Sequence, residues 1–286
     1  MDMESAVKHD NGFFRGKTAI ITGASTGIGL GLSRALLARG AEVYMSSRTP
    51  ENIAAAAESL RQYSGRVHAQ VLDVRDEDAV RKHIRYVGSR GPIDYIFCNA
   101  GVGFGQAFTV TKREDWNTVF DVNLFGVVNC IHAVVPIMIK QGFGHIVNTA
   151  SVCGIVPLPY QTVYAASKYA VVGFGEDLRY EMSFHNIKVT TVCPSAVDTM
   201  IFYRSLDYTL HMELPKPQEA ISIDQAAREI LEGVEAGRNI VPVEDFARKM
   251  YRAIGTNPSE VDAMMWHMAN QRHEDPQYRA GEICGD

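Results

Sequence analysis

The sequence of 286 residues lacks the features of a nucleic-acid-binding or membrane protein. It has no cluster of lysine and arginine, and a formal net charge of −5 offers no basic surface to a phosphate backbone. The opening stretch contains no apolar signal core, and the longest nearly apolar run, 127–139, is shorter than the roughly 20 residues that cross a bilayer. We therefore expect no nucleic-acid partner, no secretion by such a signal and no transmembrane segment.

Recognisable metal-ligand spacings are also missing. The five cysteines and the histidines follow no shared spacing, and several cysteines lie in apolar runs, where a thiol behaves as a small core residue. We therefore expect no metal ion and a reducing, cytoplasmic setting. The residues concerned are Cys98, Cys130, Cys153, Cys193, Cys284, His83, His132, His145, His185 and His211.

No repeat, low-complexity stretch or linker divides the chain, and 46% hydrophobic residues are ample for a buried core. Short β-branched runs alternate with helical patterns, beginning with "KTAIIT" and ending with "NIVPV" at 239–243; long helices are predicted over 114–140 and 161–185. Strands separated by helices are typical of βαβ units. The sequence therefore predicts an α/β fold, a Rossmann-like doubly wound parallel sheet of about seven strands with helices on both faces.

A glycine-rich turn, "TGASTGIG" at 22–29, follows the first strand and opens the first helix. Gly23 would permit a tight turn, Gly27 a close approach of the backbone to a pyrophosphate, and Gly29 close packing of helix on strand. Any strand-to-helix turn can be rich in glycine. At the first turn of a βα alternation, however, the motif favours dinucleotide binding.

The end of the second strand indicates which dinucleotide is bound. An acidic residue there would bind the ribose hydroxyls and repel a 2′-phosphate, but the chain has "SSRTP" at 46–50. Arg48 offers a planar cationic group suited to a phosphate, and Ser47 adds a hydroxyl donor. This favours NADP(H) over NAD(H), although an exposed, solubilising arginine is a common alternative.

Three polar residues stand close together in an otherwise apolar stretch. Tyr164 and Lys168 are four residues apart on a predicted helix and share one face, and Ser151 ends the fifth strand at the carboxyl edge of the sheet. A neighbouring ammonium lowers the pKa of a tyrosine, which is about 10 when unperturbed. We therefore expect Lys168 to lower the pKa of Tyr164, so that Tyr164 transfers a proton while Ser151 holds the substrate oxygen.

Together these motifs resemble the short-chain dehydrogenase/reductase family over about residues 15–243. "NAG" at 99–101, "FDVNLFG", which contains Asn123, and "YAASK", with Ser151 thirteen residues before its tyrosine, complete the resemblance. It implies that Asn123, Ser151, Tyr164 and Lys168 are catalytic, with Asn123 holding a water in a proton relay through Lys168. The cofactor contacts that it implies are Gly23, Ser25, Thr26, Gly27, Ile28, Gly29, Ser47, Arg48, Asp73, Val74, Asn99, Ala100, Gly101, Tyr164, Lys168, Pro194, Val197 and Thr199.

One position departs from the family pattern: Ser195 follows Pro194 where the family usually has glycine, which puts the local loop geometry in doubt. The segment 200–215 would close the substrate pocket. Its apolar residues indicate a bulky lipophilic ketone or secondary alcohol, such as a steroid-like one; the alternative is that they only pack the lid. They are Ile201, Phe202, Tyr203, Leu206 and Leu210.

The expected organisation is a flexible arm (1–14), a single catalytic domain (15–243) and a helical extension (244–286) packed on the domain or on a subunit neighbour. The two long helices resemble the family's subunit contacts, so we expect a homodimer or homotetramer. The leading interpretation is an NADP(H)-dependent oxidoreductase. The alternatives are an NAD(H)-dependent alcohol dehydrogenase, with Arg48 stacked on adenine, and a non-catalytic nucleotide-responsive regulator.

Overall fold

The computed structural model describes residues 12–202 and 219–279. These residues form one seven-stranded parallel sheet in the order β3-β2-β1-β4-β5-β6-β7. The strands are β1 (Thr18–Thr22), β2 (Glu42–Ser47), β3 (Val67–Val71), β4 (Tyr95–Cys98), β5 (Gly144–Thr149), β6 (Ile187–Pro194) and β7 (Ile240–Val243). The strand order reverses between β1 and β4, and ligands of doubly wound sheets bind at the carboxyl ends of such strands. The predicted Rossmann-like sheet is confirmed.

Helices cover both faces of this sheet. They are α1 (Gly27–Ala38), α2 (Pro50–Glu58), α3 (Glu77–Arg90), α4 (Arg113–Phe120), α5 (Gly126–Gln141), α6 (Thr162–Ser183), α7 (Ile223–Glu235), α8 (Asp245–Thr256), α9 (Pro258–Glu274) and α10 (Pro276–Arg279). Helices α1, α2 and α7 enclose one apolar core with the sheet, and α3, α5, α6, α8 and α9 enclose a second on the opposite face. The central strands are apolar on both faces for this reason: Ile20 and Ile21, next to each other in β1, are both fully buried.

The helix predicted over 114–140 contains an interruption. A π-helical turn, Asp121–Phe125, joins α4 to α5, so one extra residue is inserted where the chain passes the sheet edge. By length and composition alone, Arg113–Gln141 could cross a membrane, and 44% of its most apolar window is buried. Its residues Cys130, Val134 and Met138 pack in the core, which is the arrangement of an internal helix.

The segment after β7 folds back over the core. Met250 of α8 and Val261 and Met265 of α9 are buried with the helices on that face, whereas Trp266 is exposed. At the other end of the chain, Phe14 is buried, while the rest of the predicted arm lies largely outside the described residues. The division into arm, catalytic domain and extension stays a prediction.

Candidate active site

A cavity of about 500 Å³ lies at the carboxyl edge of the sheet. Residues at the ends of β1, β2, β4, β5, β6 and β7 line it, which is where a doubly wound sheet binds its ligand. Apart from Gly29 and Asn123, every site residue predicted from the sequence lines this cavity. The structure therefore brings the glycine-rich turn and the Ser, Tyr and Lys side chains into one space.

The glycine-rich turn forms one end of the cavity. Gly23 and Gly27 have φ of +63° and +57°, a left-handed conformation that favours glycine, and a Cβ on Gly23 would lie 2.7 Å from the Cα of Ala100. A Cβ on Gly29 would collide with the carbonyl oxygen of Gly23, so Gly29 permits close packing of helix α1 although it does not line the cavity. Thr26 is the N-cap of α1 and its side chain makes no capping hydrogen bond, so the N-terminus of this helix is suited to an anion.

Two hydroxyls and a guanidinium group lie beside this turn, at the end of β2. Ser25 Oγ donates to Ser47 Oγ at 2.8 Å, and Arg48 lines the cavity next to them. Burial alone would raise the pKa of Asp73, but hydrogen bonds from Arg75 outweigh it and the charge of Arg48 adds to them, so the pKa is lowered. This corner combines hydroxyl donors with positive charge, which suits a phosphorylated ribose.

The "NAG" turn joins three strand ends. Asn99 Nδ2 donates to the carbonyl oxygens of Thr22 and Gly23 at 3.1 and 3.3 Å, and Thr149 Oγ1 donates to Asn99 Oδ1 at 3.3 Å. Ala100 N donates to Thr22 Oγ1 at 3.1 Å. These bonds fix the ends of β1, β4 and β5 relative to one another. The turn therefore lines the cavity and also fixes the positions of the strands at its edge.

Asn123 lies in the π-helical turn and is fully buried. Its Oδ1 accepts a hydrogen bond from Val102 N at 2.8 Å, and its Nδ2 donates to Val102 O at 3.0 Å and to Ser167 Oγ at 3.1 Å. The side chain therefore fixes the loop after β4 against helix α6. Its predicted contact with a relay water stays a prediction.

Ser151, Tyr164 and Lys168 lie on the wall formed by β5 and α6. Ser151 Oγ accepts from Cys153 N at 3.2 Å and donates to Pro194 O at 3.4 Å. Lys168 Nζ donates to Thr149 O at 2.9 Å and lies 5.6 Å from the centre of the Tyr164 ring. The tyrosine and lysine share a helix face as predicted, and the serine reaches them from the end of β5.

The protonation of these groups differs from the expectation drawn from their spacing. Burial raises the pKa of Tyr164, the nearby Cys153 thiol adds to the rise, and a hydrogen bond with Ser151 opposes it. Burial lowers the pKa of Lys168 to about 8. The expected lowering of the Tyr164 pKa by Lys168 is absent in this structure, because the lysine is directed at the Thr149 carbonyl and burial dominates.

The segment after β6 follows the predicted course past the cavity. Ser195 is outside the left-handed region, so the serine in place of the family's usual glycine is accommodated, and its N–H donates to Val243 O at 3.3 Å. A Cβ on Gly27 would lie 3.1 Å from Thr199 Cγ2, which places this segment directly over the glycine-rich turn.

Part of the predicted lid can be placed. Ile201 lines the cavity and packs over Gly103. The backbone of Phe202 is described, while Tyr203, Leu206 and Leu210 lie outside the described residues.

Several cavity residues were not predicted from the sequence: Cys153, Glu219, Glu244, Phe246, Met268 and Arg272. Gln161, the N-cap of α6, contacts the first of these residues: its Oε1 accepts from Cys153 Sγ at 3.1 Å. Burial raises the pKa of that thiol to about 11. Met268 and Arg272 come from α9, and no sequence spacing connects them with the other residues.

The C-terminal helices hold the loop that precedes α6. Arg272 donates to Pro159 O and its guanidinium lies 5.0 Å from the centre of the Tyr278 ring. The hydroxyl of Tyr160 is 2.7 Å from His273 Nδ1, and Ala107 N donates to Tyr278 O at 3.0 Å. We call this group of contacts the C-terminal latch; it closes one side of the cavity.

Comparisons with known proteins agree with this geometry. A family model described as short chain dehydrogenase matches residues 17–207. A 3-oxoacyl-(acyl-carrier-protein) reductase FabG of Thermotoga maritima is 38% identical over 185 residues, or 64% of this chain and 75% of that protein. A FabG of Chlamydia trachomatis is 32% identical over 236 residues, 82% and 88% of the two chains. A short chain dehydrogenase from Burkholderia cenocepacia, solved in complex with NADP, superposes with a TM-score of 0.76 at 26% identity, covering 88% of this chain and 98% of that one.

Proposed function

The chain belongs to the short-chain dehydrogenase family and is an oxidoreductase, and from this premise we propose that it is NADP(H)-dependent and interconverts a ketone and a secondary alcohol on a bulky lipophilic substrate. One observation carries the proposal. Ser151, Tyr164 and Lys168 line one wall of the cavity, and Ser47 and Arg48 line a corner of the same cavity. A cofactor seated on the glycine-rich turn would reach from one to the other.

The residues of the cavity fit such a cofactor. The glycine-rich turn presents backbone to the cavity at Gly23 and Gly27, where a side chain would crowd Ala100 and Thr199, and the N-terminus of α1 would hold the pyrophosphate. Ser47 and Arg48 would hold a 2′-phosphate, while Val197 and Thr199 would hold the nicotinamide amide. When bound, the nicotinamide supplies a hydride to the substrate carbon or takes one up.

The chain's own groups manage the proton. The raised pKa of Tyr164 keeps its hydroxyl protonated near neutral pH, so in the direction of reduction it donates that proton to the substrate oxygen. Ser151 Oγ, whose bond to Pro194 O is long at 3.4 Å, is free to turn and donate to the same oxygen. Lys168, with a pKa of about 8, exchanges protons near neutral pH and is suited to resupply the tyrosine.

The cofactor preference is tested by fluorescence titration of the purified protein with NADPH and with NADH at the same salt concentration. We expect NADPH to bind at least about 10-fold more tightly, and Arg48→Ala to remove most of that difference, because the guanidinium would lose its bond to the phosphate. Arg61→Ala is the control; Arg61 is an exposed arginine just beyond α2 that pairs with Glu58. Preference for NADH in the unaltered protein would favour the NAD-dependent alternative, with Arg48 stacked on adenine.

Catalysis is tested with a panel of lipophilic ketones that includes a 3-oxoacyl thioester, the substrate type named for the Thermotoga relative. We expect Tyr164→Phe to lower kcat by at least about 100-fold while the Kd for NADPH is unchanged, because general acid catalysis contributes on that scale. Equal turnover by the variant would refute the role of Tyr164. Tight NADPH binding by the unaltered protein without turnover of any ketone would favour the nucleotide-responsive regulator.

The assembly and the location of the protein are part of the same proposal. Apolar side chains remain exposed along α5 and α6 in the single chain, among them Ile139, Tyr169 and Tyr180. We infer that these helices form the contacts of a homodimer or homotetramer, which sedimentation analysis would distinguish from a monomer. The four cysteines among the described residues are free thiols and are buried, which accords with a cytoplasmic, reducing setting for the protein.

A further inference from the structure

Glu244 is held at the edge of the cavity by its backbone. It follows β7, whose last residue, Val243, pairs with Pro194 of β6. Its N–H donates to Glu229 Oε2 at 2.9 Å. The residue therefore has a fixed position beside the end of β6, on the wall of the cavity that also contains Ser151 and Tyr164.

The backbone of Glu244 has a conformation that is rare for any residue except glycine. Its φ is +80° and its ψ is 159°. A side chain persists in this region only when the surrounding structure enforces it, and such residues concentrate at functional sites. The Glu244 carboxylate caps the first turn of α8, but this role does not explain the strained backbone. Ordinary N-cap residues accept such a hydrogen bond with extended, unstrained backbone angles.

The carboxylate of Glu244 has one oxygen engaged and one left over. Oε1 accepts from Phe246 N at 2.9 Å. Oε2 is buried and has no hydrogen-bond partner among the described residues, although the side chain lines the cavity and only 8% of the residue is exposed. The next acid, Asp245, behaves oppositely: its side chain is 95% exposed and pairs with Arg248.

A buried acceptor without a partner calls for a donor from a ligand. A neutral hydroxyl is a better match than an ammonium group, because the proposed alcohol and ketone chemistry already places hydroxyls on the substrate and a neutral donor loses less hydration when it is buried. Leu158 and Met268 also line the cavity and provide apolar surface for the rest of a lipophilic molecule.

We propose that Glu244 is a specificity-determining residue whose Oε2 accepts a hydrogen bond from a second hydroxyl of the substrate, remote from the carbon that is reduced or oxidised. This inference rests on the proposed function and narrows its substrate class to lipophilic hydroxy-ketones and the corresponding diols. Selection by a buried polar group is effective because an analogue without the hydroxyl leaves the acceptor without a partner.

The test compares matched pairs of lipophilic cyclic ketones, each pair with and without a hydroxyl at the end remote from the carbonyl, at several spacings. For at least one pair we expect kcat/KM to be about 10-fold or more higher for the hydroxylated member, which is typical of a hydrogen bond to a charged acceptor. In Glu244→Gln this ratio falls by about 10-fold, while kcat/KM for the member without the hydroxyl changes little. Asp245→Asn, which removes a neighbouring charge that faces solvent, keeps the ratio of the unaltered protein.

Three results would overturn the proposal. A ratio near one for every pair in the unaltered protein shows that Glu244 does not select a hydroxyl. An equal fall for both members of a pair in Glu244→Gln shows a structural role, and weaker NADPH binding by this variant assigns the carboxylate to the cofactor. Absence of turnover with every ketone, including those without the hydroxyl, refutes the proposed function itself and is thereby distinguished from failure of the Glu244 proposal.

Discussion

Replacing Glu244 with glycine should make the protein more stable. Glycine adopts the observed φ of +80° without strain, so the variant recovers about 1–3 kcal/mol of conformational energy. It also removes the buried, unpartnered Oε2, whose desolvation costs about 1–3 kcal/mol.

Two smaller terms oppose this gain. The bond to Phe246 N is lost, but glycine at a helix cap costs only a few tenths of a kcal/mol relative to a capping side chain. The added freedom of glycine in the unfolded chain costs about 0.5–1 kcal/mol. The balance favours Glu244→Gly by about 3 kcal/mol, or a rise in Tm of roughly 5 °C for a protein of this size.

The assay is thermal unfolding of the unaltered protein and the variant at the same protein concentration, without cofactor or substrate. Asp245→Gly is the control, since it places glycine at the first residue of α8 without relieving strain and should lower Tm. A Tm for Glu244→Gly that falls as the control does would show that the left-handed backbone stores no strain. Together with reduced hydroxyl selectivity, a raised Tm would show that the glutamate is retained for function at a cost in stability.

Three other changes test the site. Gly29→Ala should weaken NADPH binding by about 10-fold or more, because the added methyl group collides with the Gly23 carbonyl. Gly173→Ala, on the open face of α6, should leave NADPH binding unchanged. Equal NADPH affinity of the two variants would refute the tight packing at Gly29. Burial lowers the pKa of Lys168 from 10.5 to about 8, so the unfolded chain binds more protons than the folded one between these pH values. Chemical denaturation should therefore show the free energy of unfolding of the unaltered protein rising from pH 8 to 10 relative to that of Lys168→Met. A difference between the two proteins that stays constant with pH would contradict this. Arg272→Ala should raise KM for the ketone several-fold with an unchanged Kd for NADPH, whereas the exposed Arg252→Ala should change neither, and an unchanged KM would exclude a role for the latch.

The sequence predicted the part of the cavity around the glycine-rich turn best. Gly23 and Gly27 stand where only glycine is comfortable, and a strand-to-helix turn has few possible geometries, so local spacing carries the information. Tyr164 and Lys168 were likewise related by helical periodicity. Their protonation could not be predicted in the same way, because the pKa of a buried group depends on everything packed around it.

The part of the cavity that is proposed to bind the substrate depends on contacts between distant parts of the chain. Arg272 reaches Pro159 across 113 positions of sequence, and no local pattern announces such a pairing. The strained backbone of Glu244 is set by its place after β7 and by the bond from its N–H to Glu229, while a glutamate before a helical pattern resembles an ordinary helix start in the sequence. The π-helical turn around Asn123 also interrupts an otherwise continuous helical pattern without any proline to mark it.

The helices of the C-terminal latch belong to a segment of the chain separate from the one that carries the glycine-rich turn and Ser151, Tyr164 and Lys168. Residues up to 202 carry the groups proposed to hold the cofactor and transfer the proton, whereas residues from 244 onward add Glu244, Met268 and Arg272 to the lining of the same cavity. A chimera that exchanges only this last segment with that of a relative would graft a new recognition surface onto unchanged chemistry. In such a scaffold, evolution and protein engineering can vary what is recognised without disturbing how it reacts.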